Sequence, residues 1–148
     1  HHPQVLRDLL ALREILELAS VERAAVSITD EQLAALDHVH RGYTGDDDES
    51  YDRYTEENRR FHCLIAEASG NMELAEVLGR LHDRLARLMV ICHAGKSMEI
   101  THARIVGALR AHDVEAARQA VLSELTATRV TILEYLIQEE GEAWQLDS

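Results

Sequence analysis

The sequence predicts an all-α fold, an antiparallel bundle of about six helices. Three observations carry that prediction. The single proline, Pro3, lies at the extreme start, so no later helix is interrupted by one. Leu, Ala, Glu and Arg dominate the chain, and all four are strong helix formers. Apolar residues recur three and four apart, while β-branched residues never alternate with polar ones as a half-buried strand requires.

The first helix is expected from about Gln4 to Val26. Leu9, Leu12, Leu16 and Ala19 form its apolar stripe, extended by Val5, with Arg7, Asp8, Glu14 and Glu17 largely off it. Thr29 has the character of an N-cap, with Asp30 and Glu31 in the first turn and Gln32 at the capping-box position. It opens a second helix from Asp30 to about His40, with Leu33 and Leu36 inward. A polar break from Gly42 to Ser50 holds Asp46, Asp47, Asp48 and Glu49, but lacks the ligand spacing and terminal Glu of an EF-hand, so it is read as a solvated acidic loop. The third helix runs from about Tyr51 to Ala68 on Phe61, Ile65 and Ala68. Ser69, Gly70 and Asn71 stop it, because Gly and Asn tolerate the left-handed conformation at a helix end. The fourth covers Met72 to about Ile91, with Leu74, Val77, Leu78, Leu81, Leu85 and Leu88 inward. A loop near residues 94–97 leads to the fifth, about Met98 to Ala111. Asp113 caps the sixth, which runs to about Gln138, and residues 141–148 are expected to fray. Short turns make successive helices antiparallel neighbours.

Composition narrows the function classes. With 148 residues, 46% of them hydrophobic, the chain suits one folded domain, taken as residues 4–140. His1 and His2 read as the stub of a purification tag, and residues 1–3 are set aside as tag or linker. Fifteen Lys and Arg against 27 Asp and Glu give a net charge of −12, which argues against nucleic acid as a direct ligand. No apolar run is long enough to span a membrane. Cys63 and Cys92 form no CxxC and read as buried thiols in a reducing cytoplasm. The chain has no HExxH, GxSxG, P-loop or GxGxxG, so hydrolase, kinase and dehydrogenase readings have no motif behind them.

Polar residues on apolar faces carry more information. His62 follows Phe61 and lies one turn before Ile65, and Asn58 lies one turn earlier on the same face. His102 precedes Ile105, Val106 and Leu109. Glu124 sits between Ala120 and Val121 on one side and Ala127 and Thr128 on the other. A carboxylate there is costly unless a cation or donor meets it. Imidazoles and a carboxylate converging between helices suit a divalent metal. The other reading is a hydrogen-bonded network in which Glu124 meets an imidazolium of His62 or His102. His38, His40, His82, His93 and His112 are read as core or boundary residues bonded to neighbours. Glu99 and His102 form one ExxH pair, whereas a di-iron bundle needs two.

The run Asn58-Arg59-Arg60-Phe61-His62, followed by Ile65-Ala66-Glu67-Ala68-Ser69-Gly70-Asn71, resembles the effector-binding C-terminal domain of FadR-type regulators in the GntR superfamily. The family's pattern there is Asp-x-x-Phe-His followed by Ala-Ser-Gly-Asn. Leu12-Arg13-Glu14-Ile15-Leu16-Glu17 is similar to that domain's first helix. His102 to Ile105, with Ala108-Leu109, Asp113 and Ala117, is similar to a later segment. The similarity covers roughly residues 6–136.

The resemblance implies a helical bundle with a central pocket, a homodimer, and a cytoplasmic regulator that is not an enzyme. It implies Zn, Ni or Mn held by one Asp and three His, with a small carboxylate effector completing the coordination. By position these ligands fall on Asn58, His62, His102 and Glu124, so the Asp has become Asn and the last His has become Glu. The two departures offset one another in charge. Asn contributes only a neutral carbonyl oxygen, while Glu restores the carboxylate from another helix. Arg13, Arg84, Arg87 and Asn71 are the candidates to meet the effector. Family regulators also carry an N-terminal winged helix-turn-helix domain of about 70 residues as their DNA contact; no such segment is expected here. Two alternatives stay open: a metal-dependent helical-bundle enzyme, and a purely structural dimerisation module.

Overall fold

The computed structural model describes residues 3–42, 48–92 and 98–147; for 48–52, 98–99 and 141–147 it describes the helical backbone. These residues form α1 (Pro3–Ser27), α2 (Asp30–Arg41), α3 (Asp48–Ala68), α4 (Met72–Ile91), α5 (Met98–Arg110) and α6 (Val114–Asp147). The expected all-α bundle is the fold that forms. Most of the acidic break, the loop near residues 94–97, His93 and the side chain of Glu99 lie outside what is described. Asp48 opens α3, a turn earlier than expected.

Local chemistry sets the helix boundaries. Thr29 accepts from the Gln32 backbone N–H at 3.1 Å, and the Gln32 side chain accepts from the Thr29 N–H at 2.9 Å, which completes the capping box. Gly70 has φ +84°, the left-handed geometry that ends α3. Asn71 then caps α4 by accepting from the Leu74 N–H at 3.0 Å. His112 supplies the same left-handed geometry after α5, at φ 52°, with the Asp113 N–H donating to Ala108 and the His112 N–H to Leu109. Its ring is anchored on the Ala25 carbonyl oxygen at 2.9 Å. Asp113 caps α6 by accepting from the Ala116 N–H. Thr29→Ala removes the hydroxyl half of the capping box and leaves the backbone N–H half, and we expect it to cost about 1 kcal/mol in urea denaturation.

α6 continues to Asp147, past the expected end at Gln138. The reason is compositional: Glu, Ala, Leu and Gln favour helix, and Gly141 alone imposes only about 1 kcal/mol against it.

α3 packs on α4, α1 on α6 and α3, and α5 on α6 and α2. Two apolar clusters result. One joins Val21, Ala24, Ile28, Leu36, Phe61, Ile65, Ile105, Leu109 and Val121; the other joins Leu6, Leu9, Leu78, Leu81, Leu85, Met89 and Ile132. On α1 the residues between the two clusters are polar. Arg13, Glu17 and Ser20 are buried, each 2% exposed or less, while Leu12 is 41% exposed. This corrects the expected stripe, which left Glu17 on the polar side. Val77, expected inward, is also exposed. An apolar-periodicity argument fails on α1 because the middle of its buried face belongs to the site.

Candidate functional site

Five helices each direct buried polar side chains to one level of the bundle. α1 supplies Arg13 and Glu17, one turn apart; α3 supplies Asn58 and His62 with the same spacing; α4 supplies His82, α5 His102 and α6 Glu124. The periodicity that buries Leu78, Leu81 and Leu85 on α4 brings His82 inward with them, and Val121 and Leu125 do the same for Glu124.

Glu124 faces both imidazoles. Its Oε2 lies 2.7 Å from His62 Nε2, and its Oε1 contacts His102 Nε2. One ligand atom from each of His62, His102 and Glu124 falls within 4.8 Å of the others. The second nitrogen of His62, Nδ1, lies 3.1 Å from Glu17 Oε1. Glu17 Oε2 accepts from Arg13 Nε at 3.1 Å and stands 3.6 Å from His82 Nε2. Phe61 stacks on His102 with centroids 4.0 Å apart and planes 7° from parallel, which fixes that ring's orientation.

The charges follow from this packing. Burial works against a charged His62, but Glu124 and Glu17, one at each ring nitrogen, overcome it and raise its pKa to about 9. Burial opposes ionisation of Glu124 too, yet His62 and His102 hold it well below the usual carboxylate range; His62, His82 and Arg13 do the same for Glu17. Burial lowers the pKa of His82 and His102, and in each the neighbouring carboxylate offsets only part of that effect. At pH 7 the ionised groups are Arg13, Glu17, His62 and Glu124, two of each sign, so the cluster is neutral overall.

Several hydrogen-bonding atoms in this core have no aligned partner. Both amide atoms of Asn58 lack one, as do Arg13 Nη2, His82 Nε2, His62 Nε2 and Glu124 Oε2. The last two face each other at 2.7 Å as an ion pair. Unmade bonds on buried groups typically cost about 1–3 kcal/mol each, so the Asn58 amide and Arg13 Nη2 call for a partner such as water, an ion or a ligand.

Of the eight residues expected to form the site, His62, His102 and Glu124 come together, and Asn58 and Arg13 are buried in the same bundle. The other three stand elsewhere. Arg84 and Arg87 are exposed, with Arg87 on an outer cleft, because the inward face of α4 is taken by Leu81, His82, Leu85 and Leu88. Asn71 is exposed and serves as a helix cap. Sequence reasoning missed Glu17 and His82. The signals were available: Glu17 stands one turn after Arg13, and His82 sits in register with Leu78 and Leu85. Cys63 is half-buried and Cys92 buried; both are free, and burial pushes both thiols up, Cys92 to about 11.

Comparison with known proteins places this architecture. The sequence matches none of the curated proteins. Among solved structures, McbR/YncC of E. coli is similar, with a TM-score of 0.74 and 19% identity over 90% of this chain. The match spans 66% of the McbR/YncC chain. The model of the FCD domain matches residues 8–127, a span that includes every member of the buried cluster. The chain belongs to the FCD domain family.

Proposed function

We propose that this FCD domain is the ligand-sensing part of a GntR-type transcription regulator. Its buried cluster would hold a divalent metal, Zn, Ni or Mn, together with a small carboxylate effector. The observation that carries the reading is the convergence of His62, His102 and Glu124 beside unsatisfied buried donors and acceptors.

The donor set fits such an ion. Two imidazole nitrogens and a carboxylate are ordinary ligands for these metals, and the Asn58 carbonyl oxygen is a weaker neutral one. His62 Nε2 and Glu124 Oε2, 2.7 Å apart without an ion, would spread to admit a shared cation once the His62 proton is displaced. Glu17 would orient His62 through Nδ1, as outer-shell carboxylates commonly do for metal-binding histidines. Once bound, the ion supplies positive charge and an attachment point for a carboxylate oxygen.

Charge balance explains why a carboxylate would accompany the metal. Without an ion the cluster is neutral, so the domain is expected to fold without one. A divalent ion displacing the His62 proton leaves a net charge of +1, which one monoanion cancels. Arg13, buried and with Nη2 lacking a partner, would meet that anion. Effector binding would act by favouring one of two helix arrangements over the other, not by turnover. A homodimer is the assembly proposed, and DNA contact would lie with a separate winged helix-turn-helix domain. Among the described residues no helix is long and apolar enough to cross a membrane.

Thermal-shift measurements with Zn²⁺, Ni²⁺ or Mn²⁺, alone and with a panel of small mono- and dicarboxylates, test this reading. We expect carboxylates to raise Tm further only when metal is present, and Arg13→Gln to reduce that second increment. Equal shifts with and without metal, or no shift at all, would contradict it.

A further inference from the structure

A second candidate ligand site lies on the outside of the bundle. A cleft of about 420 Å³ opens between α3 and α4, within the size range of small-molecule pockets. Ala86, Val90 and Ile91 supply its apolar surface, and Ile91 is 44% exposed. Glu56 from α3 and Arg87 from α4 supply two opposite charges. Among the described residues neither has an ion-pair or hydrogen-bond partner, although they line the same cleft. The other ionic pair on this cleft, Arg59 with Asp83, is closed at 2.8 Å. His82 also lines the cleft; it is 3% exposed, and its Nε2 has no hydrogen-bond partner.

We infer that this cleft binds a small apolar amino acid. The class follows from the lining. Arg87 and Glu56 are an unpaired cation and an unpaired anion on different helices, which matches the carboxylate and ammonium of a zwitterion. A simple carboxylate would leave Glu56 unmatched, and a simple amine would leave Arg87 unmatched. The lining, counting Glu56, Arg59, Asp83 and Arg87, has no net charge, so neither an anion nor a cation is favoured overall. Ala86, Val90 and Ile91 would cover an aliphatic side chain, where burial stabilises by about 25 cal/mol per Å². The site is distinct from the proposed metal pocket and does not depend on it. His82 is the residue that lines the cleft and also neighbours Glu17 of the buried cluster.

L-leucine is the probe, titrated into chelator-treated protein and followed by methyl and histidine-ring NMR. We expect saturable shifts at Ala86, Val90, Ile91 and His82. Arg87→Gln and Glu56→Gln, both exposed substitutions, are each expected to weaken binding about tenfold, the effect of losing one charge-assisted contact. 4-Methylpentanoate, which lacks the ammonium, and 3-methylbutylamine, which lacks the carboxylate, are expected to bind more weakly by a similar factor. Absence of saturable shifts overturns the inference. So does equal binding of either analogue, indifference to both substitutions, or shifts centred on His62 and His102. Because every arm is metal-free, failure here is separable from failure of the metal reading.

Discussion

Replacing Glu124 by alanine is expected to destabilise the metal-free protein by about 3–5 kcal/mol, the usual range for removing one partner of a buried ion pair. Glu124 serves two imidazoles, so its loss leaves His102 without its carboxylate and His62 with Glu17 alone. A cavity is left as well. His62 recovers part of the loss by giving up its proton, since burial favours its neutral form. Glu124→Gln keeps the shape and one acceptor, so it is expected to cost less than alanine while still removing a ligand charge. Urea denaturation of both variants at pH 7 in chelator checks the order. Equal stability of wild type and Glu124→Ala would mean that the contacts around Glu124 contribute nothing net.

Metal binding and metal-free stability are expected to respond to pH in opposite directions above pH 6.5. In the metal-free protein the folded pKa of His62, about 9, lies above its unfolded value near 6.5. Its contribution is therefore fully present below about pH 6.5 and fades as pH rises through about 9, at roughly 1.4 kcal/mol per unit. His82 and His102 are depressed, so their contribution is present above about pH 6.5 and is lost as pH falls below it. Glu17 and Glu124 are depressed as well, and their contribution is lost only as pH falls through about 4.5 and below. From this cluster alone, metal-free stability peaks near pH 6.5. Metal, by contrast, must displace the His62 proton, so apparent affinity should rise about tenfold per unit from about pH 6.5 to 9. Calorimetric titration and thermal melts across that range check both slopes. A pH-independent affinity would mean that His62 is not a ligand.

The fold was legible because α2, α3 and α4 advertise their buried faces. Leu78, Leu81, Leu85 and Leu88 mark α4, and Thr29, Gly70, Asn71 and Asp113 mark boundaries by side-chain chemistry that needs no tertiary information. His62, His102 and Glu124 were legible as polar residues interrupting apolar faces, and the resemblance supplied their common purpose. Arg13 was a candidate through the resemblance, but its partner Glu17 shows where such reading ends. A salt pair one turn apart on a helix looks like a solvated surface pair, and only the packing of α1 against α3 and α6 shows that it is buried. Arg84 and Arg87 are exposed and stand away from the buried cluster: an arginine on a helix that lines the core need not face it. Which of two unpaired charges share a cleft, as Glu56 and Arg87 do, depends on the α3–α4 register and had no sequence signature.

Elemental analysis after equilibration with Zn²⁺, Ni²⁺ or Mn²⁺ and removal of free ion, on protein lacking His1 and His2, tests the central claim most directly. The account predicts about one ion per chain for one of these metals, lost in His62→Ala and in Glu124→Gln. A content below about a tenth of an ion per chain with all three metals would contradict it, as would a content unchanged by either substitution.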